Sequence, residues 1–255
     1  MVYGVYGALG GGKSYSMVAH AIEQLKLGNA VVTNIKLRDE YLVANRIDAS
    51  KYLFIEDFGT IDPWTLPEGD RRGSGGNFRV NIIIDEAGEW LDSYMDKKND
   101  FLTKVASWLR QSDKKGQDVF FIVQFETLLQ ARLRNVVARW LRCYDVSKFK
   151  LPGIGLRLPP VLRNFIVVSE FDGMAKEVIG RRWLPKSKSI YSAYDTAAFY
   201  GFSFQTSSAS SRLDFNGKNY ASAVRPWPVR ELFLIHVVTL LLVTLCGVFL
   251  LRFGS

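Results

Sequence analysis

Residues Gly7–Ser14 read GALGGGKS and fit G-x-x-x-x-G-K-[ST], the spacing of a phosphate-binding loop. The chemistry explains the residue types. Gly7, Gly10, Gly11 and Gly12 carry no Cβ, so backbone N–H groups from Gly7 through Ala8 and Leu9 to Tyr15 can turn toward a polyphosphate. Lys13 brings positive charge to the β- and γ-phosphates, and the Ser14 hydroxyl suits Mg²⁺. Residues 7–15 are therefore the expected nucleotide contacts, with ATP and Mg²⁺ as cofactors. A second pair, Asp85-Glu86, closes the apolar run Val80–Ile84. Asp85 there would hold Mg²⁺ through water, and Glu86 would polarise an attacking water. Alone, an apolar run ending in Asp-Glu says little; joined to the loop it completes a phosphate cradle, a metal ligand and a base.

Further polar groups complete the set of candidates. Gln124 ends the run Val119–Val123, where it either senses the γ-phosphate and orients water or simply bonds a neighbouring loop. Arg110, Arg132 and Arg134 are candidates for an arginine reaching the phosphates of an adjacent subunit, although most helix arginines decorate a solvated surface.

Elements must hold these groups in place. Val2–Tyr6 reads as a buried strand, and Val18, Ile22 and Leu25 share one face of a helix from about Lys13 to Leu27. Gly28-Asn29 stops that helix, and Ala30–Ile35 is the next strand. Arg38–Phe58 shows no clean periodicity, and Asp62–Phe78, with its prolines, glycines, Arg71 and Arg72, reads as a flexible basic loop. Phe101, Val105, Trp108 and Leu109 stripe a helix from Asp100 to Ser112. Another helix is expected from Glu126 to Leu141, with Arg132, Arg139 and Arg142 in one sector and Arg134 nearly opposite. The resulting fold class is α/β, a P-loop NTPase parallel sheet over residues 1–145.

Residues 146–224 change in composition toward a small β-rich appendage and linker. A strand is expected at Asn164–Phe171, then an Asp172-Gly173 turn, with Ala175–Ile179 pairing back. Basic residues interleaved with aromatics there could stack bases, but such aromatics more often fill the core of a small domain. After the juxtamembrane segment 225–231, Leu232–Leu251 is apolar apart from His236 and two threonines. That is enough to cross ~30 Å of hydrocarbon as a helix, leaving 252–255 as a short outer end. The net charge of +8 favours nucleic acid or an anionic membrane surface as a neighbour. Two cysteines make no disulfide framework and fit a reducing compartment. No cleavable signal peptide is expected, because the first strand starts at Val2. A nucleotide site needs cytoplasmic ATP, so the bulk is expected inside the cell and the carboxyl end outside.

Gly7–Ser14, Thr33-Asn34, Asp85-Glu86, Gln124 and the late apolar helix together resemble the zonula occludens toxin type of filamentous-phage assembly and export ATPase, the phage gene I protein family. The resemblance covers the first 145 residues and the position of the membrane helix; the appendage matches loosely. It implies an ATP hydrolase of the RecA or additional-strand P-loop class, single-pass in the host inner membrane and contacting its lipid. It implies a ring of about five or six identical subunits. Its cargo would be the phage major coat protein with single-stranded phage DNA, and its outlet an outer-membrane secretin channel. By residue, Lys13 and Ser14 carry over as phosphate and magnesium contacts, Asp85 as metal ligand and Glu86 as base. Family members usually continue into a periplasmic segment, whereas this chain stops at Ser255. Two other classes compete: a small-molecule kinase on the same fold, which would need an acceptor pocket and a lid, and a non-hydrolysing, toxin-like interaction protein.

Overall fold

In the computed structural model, residues 1–71, 76–89, 91, 99–149, 159 and 162–194 are described, all within the unit Met1–Ser203. The strands are β1 Val2–Tyr6, β2 Ala30–Thr33, β3 Tyr52–Phe54, β4 Val80–Ile84, β5 Gln117–Val123, β6 Arg139–Asp145, β7 Phe165–Asp172 and β8 Val178–Pro185. The helices are α1 Lys13–Lys26, α2 Asp39–Ala44, α3 Asn99–Gln111, α4 Ala131–Arg134 and α5 Lys188–Ser192.

Strands form one sheet in the order β3-β2-β4-β5-β1-β6-β7-β8. The six from β3 to β6 run parallel. Continuous apolar runs suit strands covered on both faces, and all five residues of β4 are buried. One strand, β5, stands between β1 and β4. Because these strands are parallel, the turns after β1, β4 and β5 gather along one edge of the sheet. At the opposite edge the Arg79 guanidinium forks onto Asp118, Nε to Oδ2 at 3.0 Å and Nη2 to Oδ1 at 2.9 Å, tying the start of β4 to β5.

Each face of the sheet has its own apolar layer. Val18, Ile22 and Leu25 of α1 cover Val5, Ile83 and Ile122 on one side. Trp108 and Leu109 of α3, with Leu129, Leu133 and Val137, cover Ile82, Phe121 and Trp140 on the other. Two polar side chains inside this second layer are paired: the Trp108 indole N–H donates to Gln117 Oε1 at 2.9 Å, and the Gln117 amide donates to the Pro67 carbonyl at 2.8 Å. The segment expected as a flexible loop thus begins docked, with Pro63 and Leu66 buried.

The helix expected from Glu126 to Leu141 is replaced by a 3-10 turn at Glu126–Leu128, the four-residue α4 and then β6. Leu129, Leu133 and Val137 are spaced four apart, which imitates a helix face. They line a crossover instead, and the chain then enters the sheet to pair with the free edge of β1. Arg139 and Arg142 therefore point to opposite faces of a strand rather than into one helical sector.

Residues expected as an appendage continue the same sheet. β7 pairs antiparallel with β6 from Arg139↔Asp172 to Asp145↔Ile166, and β8 pairs antiparallel with β7. A bridge between Leu37 and Tyr194 returns the chain toward α2. The expected linker, the juxtamembrane segment 225–231, the apolar helix Leu232–Leu251 and the end 252–255 lie outside the described residues. Among the described residues no helix is long and apolar enough to cross a membrane.

Candidate functional site

The loop between β1 and α1 is shaped by what runs beneath it. Gly7 has φ 154°, and a Cβ there would stand 2.4 Å from the Cys143 carbonyl oxygen of β6. Gly12, just before α1, has φ 90°, and its Cβ would meet Ile166 Cδ1 of β7 at 2.6 Å. Only glycine fits either position without displacing the sheet. No side chain caps α1, so its first N–H groups and the positive end of its dipole face the loop. Lys13 folds back over it, with Nζ donating to the Gly7 carbonyl at 2.8 Å and the Ala8 carbonyl at 3.3 Å. Burial lowers the Lys13 pKa, opposed by the charge of Asp85.

Across the loop, Ser14 Oγ donates to Asp85 Oδ2 at 2.7 Å. The Glu86 N–H donates to Asp85 Oδ1 at 2.9 Å. Burial pushes the Asp85 carboxyl above the usual range, against the pull of Ser14, the Glu86 amide and Lys13. Glu86 itself sits in the left-handed region at φ 52°, a conformation that costs about 1 kcal/mol or more for a side-chain-bearing residue. Its carboxyl is also raised, first by burial and then by Glu89 beside it. A carboxylate held nearer neutral pH is a better proton acceptor than an ordinary surface glutamate.

A hydroxyl and a buried carboxylate in contact are hard oxygen donors of the kind Mg²⁺ takes alongside water and phosphate oxygens. Among the described residues no cluster of three or more His, Cys, Asp or Glu could hold a metal. The site therefore fits a cation that arrives with its phosphates rather than one caged by protein. A cavity of ≈ 560 Å³ opens beside these groups, walled by the loop, Asp85, Glu86, Gln124, Asp145 and Tyr191.

The structure brings Gly10–Ser14, Asp85, Glu86 and Gln124 together around that cavity, with Gln124 exposed at its rim. Tyr15 reaches the wall, but its hydroxyl donates to the Pro185 carbonyl at 2.8 Å and accepts from the Ser187 N–H at 2.7 Å. None of Arg110, Arg132 and Arg134 lines the cavity. Arg110 is exposed at the carboxyl end of α3, near the opposite edge of the sheet; Arg132 is exposed and Arg134 half-buried on α4. Sequence reasoning gave no role to Asn34, Glu89 or Lys148, which the fold brings to the site. Asn34, at the end of the strand neighbouring β4, binds the Asp85 backbone. Its position just past an apolar run was the available signal.

The Zonular occludens toxin (Zot) family matches residues 1–199. The chain belongs to that family. The chain is also similar to the Gene 1 protein of Escherichia phage If1, at 25% identity over 224 residues, covering 82% of this chain and 62% of that one. The Gene 1 protein of Enterobacteria phage I2-2 is 27% identical over 212 residues, covering 78% and 57%. The chain thus spans about three fifths of the length of these curated relatives. Among solved structures, the N-terminal domain of zonular occludens toxin from Neisseria meningitidis aligns at 18% identity with a TM-score of 0.45, covering 76% of this chain and 98% of that one. The DNA-packaging ATPase of Sulfolobus Turreted Icosahedral Virus aligns at 11% identity with a TM-score of 0.43, covering 71% and 96%.

Proposed function

We propose that this Zot-family chain is a membrane-anchored, ring-forming ATPase that drives filamentous-phage assembly and extrusion across the host inner membrane. The observation that carries the reading is the Ser14–Asp85 contact at 2.7 Å beside a Lys13 that rests on loop carbonyls. Lys13 exchanges those carbonyls for the outer phosphates, and the loop amides take the remaining oxygens. Ser14 and Asp85 would hold Mg²⁺, which would supply neutralisation of phosphate charge. Glu86 accepts the proton of the attacking water, and Gln124 orients that water or senses the γ-phosphate. An arginine from a neighbouring subunit, drawn from Arg110, Arg132 or Arg134, stabilises the developing charge; its absence from the cavity of its own chain suits a role across an interface. The apolar segment Leu232–Leu251 supplies the anchor, with the amino-terminal bulk in the cytoplasm and the carboxyl end in the periplasm. Coat protein around single-stranded phage DNA is the cargo, delivered to an outer-membrane secretin channel.

The test uses the detergent-solubilised chain with Mg²⁺ and ATP, beside phage release from cells. Lys13→Ala is expected to lower turnover by about 10²-fold or more and to stop release while the melting profile stays that of the parent. Turnover and release both unaffected by Lys13→Ala would overturn the reading.

A further inference from the structure

The strand that underlies the phosphate loop also brings a second ammonium group over it. β6 ends in a 3-10 turn, Val146–Lys148, started by Asp145, whose Oδ1 accepts from the Ser147 N–H at 2.8 Å. From this turn Lys148 Nζ donates to the Leu9 carbonyl at 2.6 Å. It also overlies Gly10, where an added Cβ would lie 2.6 Å from the same nitrogen. Asp145, the nearest acid along the chain, is already engaged by Lys186 at 2.6 Å. Lys148 is exposed and rests on a neutral carbonyl, as Lys13 does two residues earlier in the loop. Two cations on successive carbonyls of one glycine loop, Lys13 on Ala8 and Lys148 on Leu9, repel each other. An anion between them turns that repulsion into attraction for both.

We propose that Lys148 is a second phosphate-binding cation of this site, releasing the Leu9 carbonyl to bond an outer phosphate oxygen of a nucleoside triphosphate. The inference rests on the nucleotide reading above and adds a residue from the far end of the P-loop region, 135 positions beyond Lys13. An ammonium–phosphate hydrogen bond is charge-assisted, so its loss has a predictable size.

The experiment measures binding of the slowly hydrolysed β,γ-imido analogue of ATP to the full chain in detergent, without reference to turnover. Lys148→Met is expected to weaken the analogue about ten- to a hundredfold, Lys148→Arg to recover most of that, and the ligand-free melting temperature of both to match the parent. On the unaltered protein, the analogue should slow acylation of Lys148 by an amine-reactive reagent, read by peptide mass spectrometry. Affinity within about twofold of the parent for Lys148→Met, or equal acylation with and without analogue, would overturn the proposal, leaving Lys148 as a brace on the loop. If the parent binds the analogue through Lys148 yet does not hydrolyse ATP, the motor reading falls and this one stands. If it hydrolyses ATP but is indifferent to Lys148, the reverse holds; a parent that binds no analogue sinks both.

Discussion

Asn34 grips the backbone of Asp85 from both sides: its Oδ1 accepts from the Asp85 N–H at 2.7 Å, and its Nδ2 donates to the Asp85 carbonyl at 3.0 Å. The two residues immediately follow β2 and β4, which are neighbours in the sheet. The side chain of Asn34 therefore fixes where the Asp85 backbone sits and how the strained Glu86 follows it. Asn34→Ala leaves two backbone groups of a buried turn unpaired, at about 1–3 kcal/mol. The expected result is a lower melting temperature together with weaker Mg²⁺ dependence of turnover. Asn34→Asp keeps the acceptor but loses the donor and sets a second carboxylate near Asp85, so it should impair Mg²⁺-dependent turnover at least as much. Titrating turnover against Mg²⁺ for both variants checks this.

Glu86 lies beside Glu89 at the mouth of the site, and burial, then the neighbouring Glu89 carboxylate, raises the Glu86 carboxyl above the ordinary glutamate value. A base works ionised, so turnover should rise with pH through that elevated value. Removing the charge of Glu89 lowers the Glu86 pKa, and the acid limb of the pH–rate profile of Glu89→Gln should move to lower pH. Glu86→Gln keeps the Ser14–Asp85 pair, so it should bind ATP normally and barely hydrolyse it. Normal turnover in that variant would remove Glu86 from the mechanism.

Gly12→Ala tests how tightly the loop is held. A Cβ at φ 90° and 2.6 Å from Ile166 Cδ1 is strained by both backbone and contact. The cost should be on the order of 1–3 kcal/mol, with nucleotide binding lost more severely than stability. Melting and nucleotide titration of the same sample separate the two effects.

His20 on α1 lies against Phe120, with ring centroids 4.8 Å apart, and its Nε2 is 3.2 Å from Asn81 Oδ1. Burial lowers its pKa below the ordinary 6.5, partly offset by Asn81, while Arg182, Glu23 and Asp118 act from nearby. A base whose folded pKa is depressed gives stability that is present above its unfolded value and lost as pH falls through the folded one. The melting temperature should therefore drop from about pH 6.5 downward. In His20→Gln, which can still donate to Asn81, that slope should flatten. An unchanged slope would show that other groups set the acid limit.

Much of the site was legible because its chemistry is local. Eight contiguous positions define the loop, and the adjacent pair Asp85-Glu86 supplies the two carboxylates proposed as metal ligand and base. Helix α1 and strands β1, β4 and β5 were readable because their apolar runs and stripes lie within single segments. The stretch from Glu126 to Leu141 misled because a four-residue apolar spacing describes a buried crossover as well as a helix, and only the open edge of β1 turns residues 139–145 into a strand.

What the sequence determined by itself was the identity of the candidate phosphate-binding and acidic groups, since residue type and short spacing fix hydrogen-bonding capacity. Tertiary structure alone decided that Asn34 clamps Asp85, that β6 and β7 dictate two of the loop glycines, and that Lys148 reaches Leu9. Those contacts join residues 51 to 154 positions apart, from Asn34–Asp85 to Gly12–Ile166. Nothing in a linear pattern specifies them, because they depend on which strands the sheet places side by side.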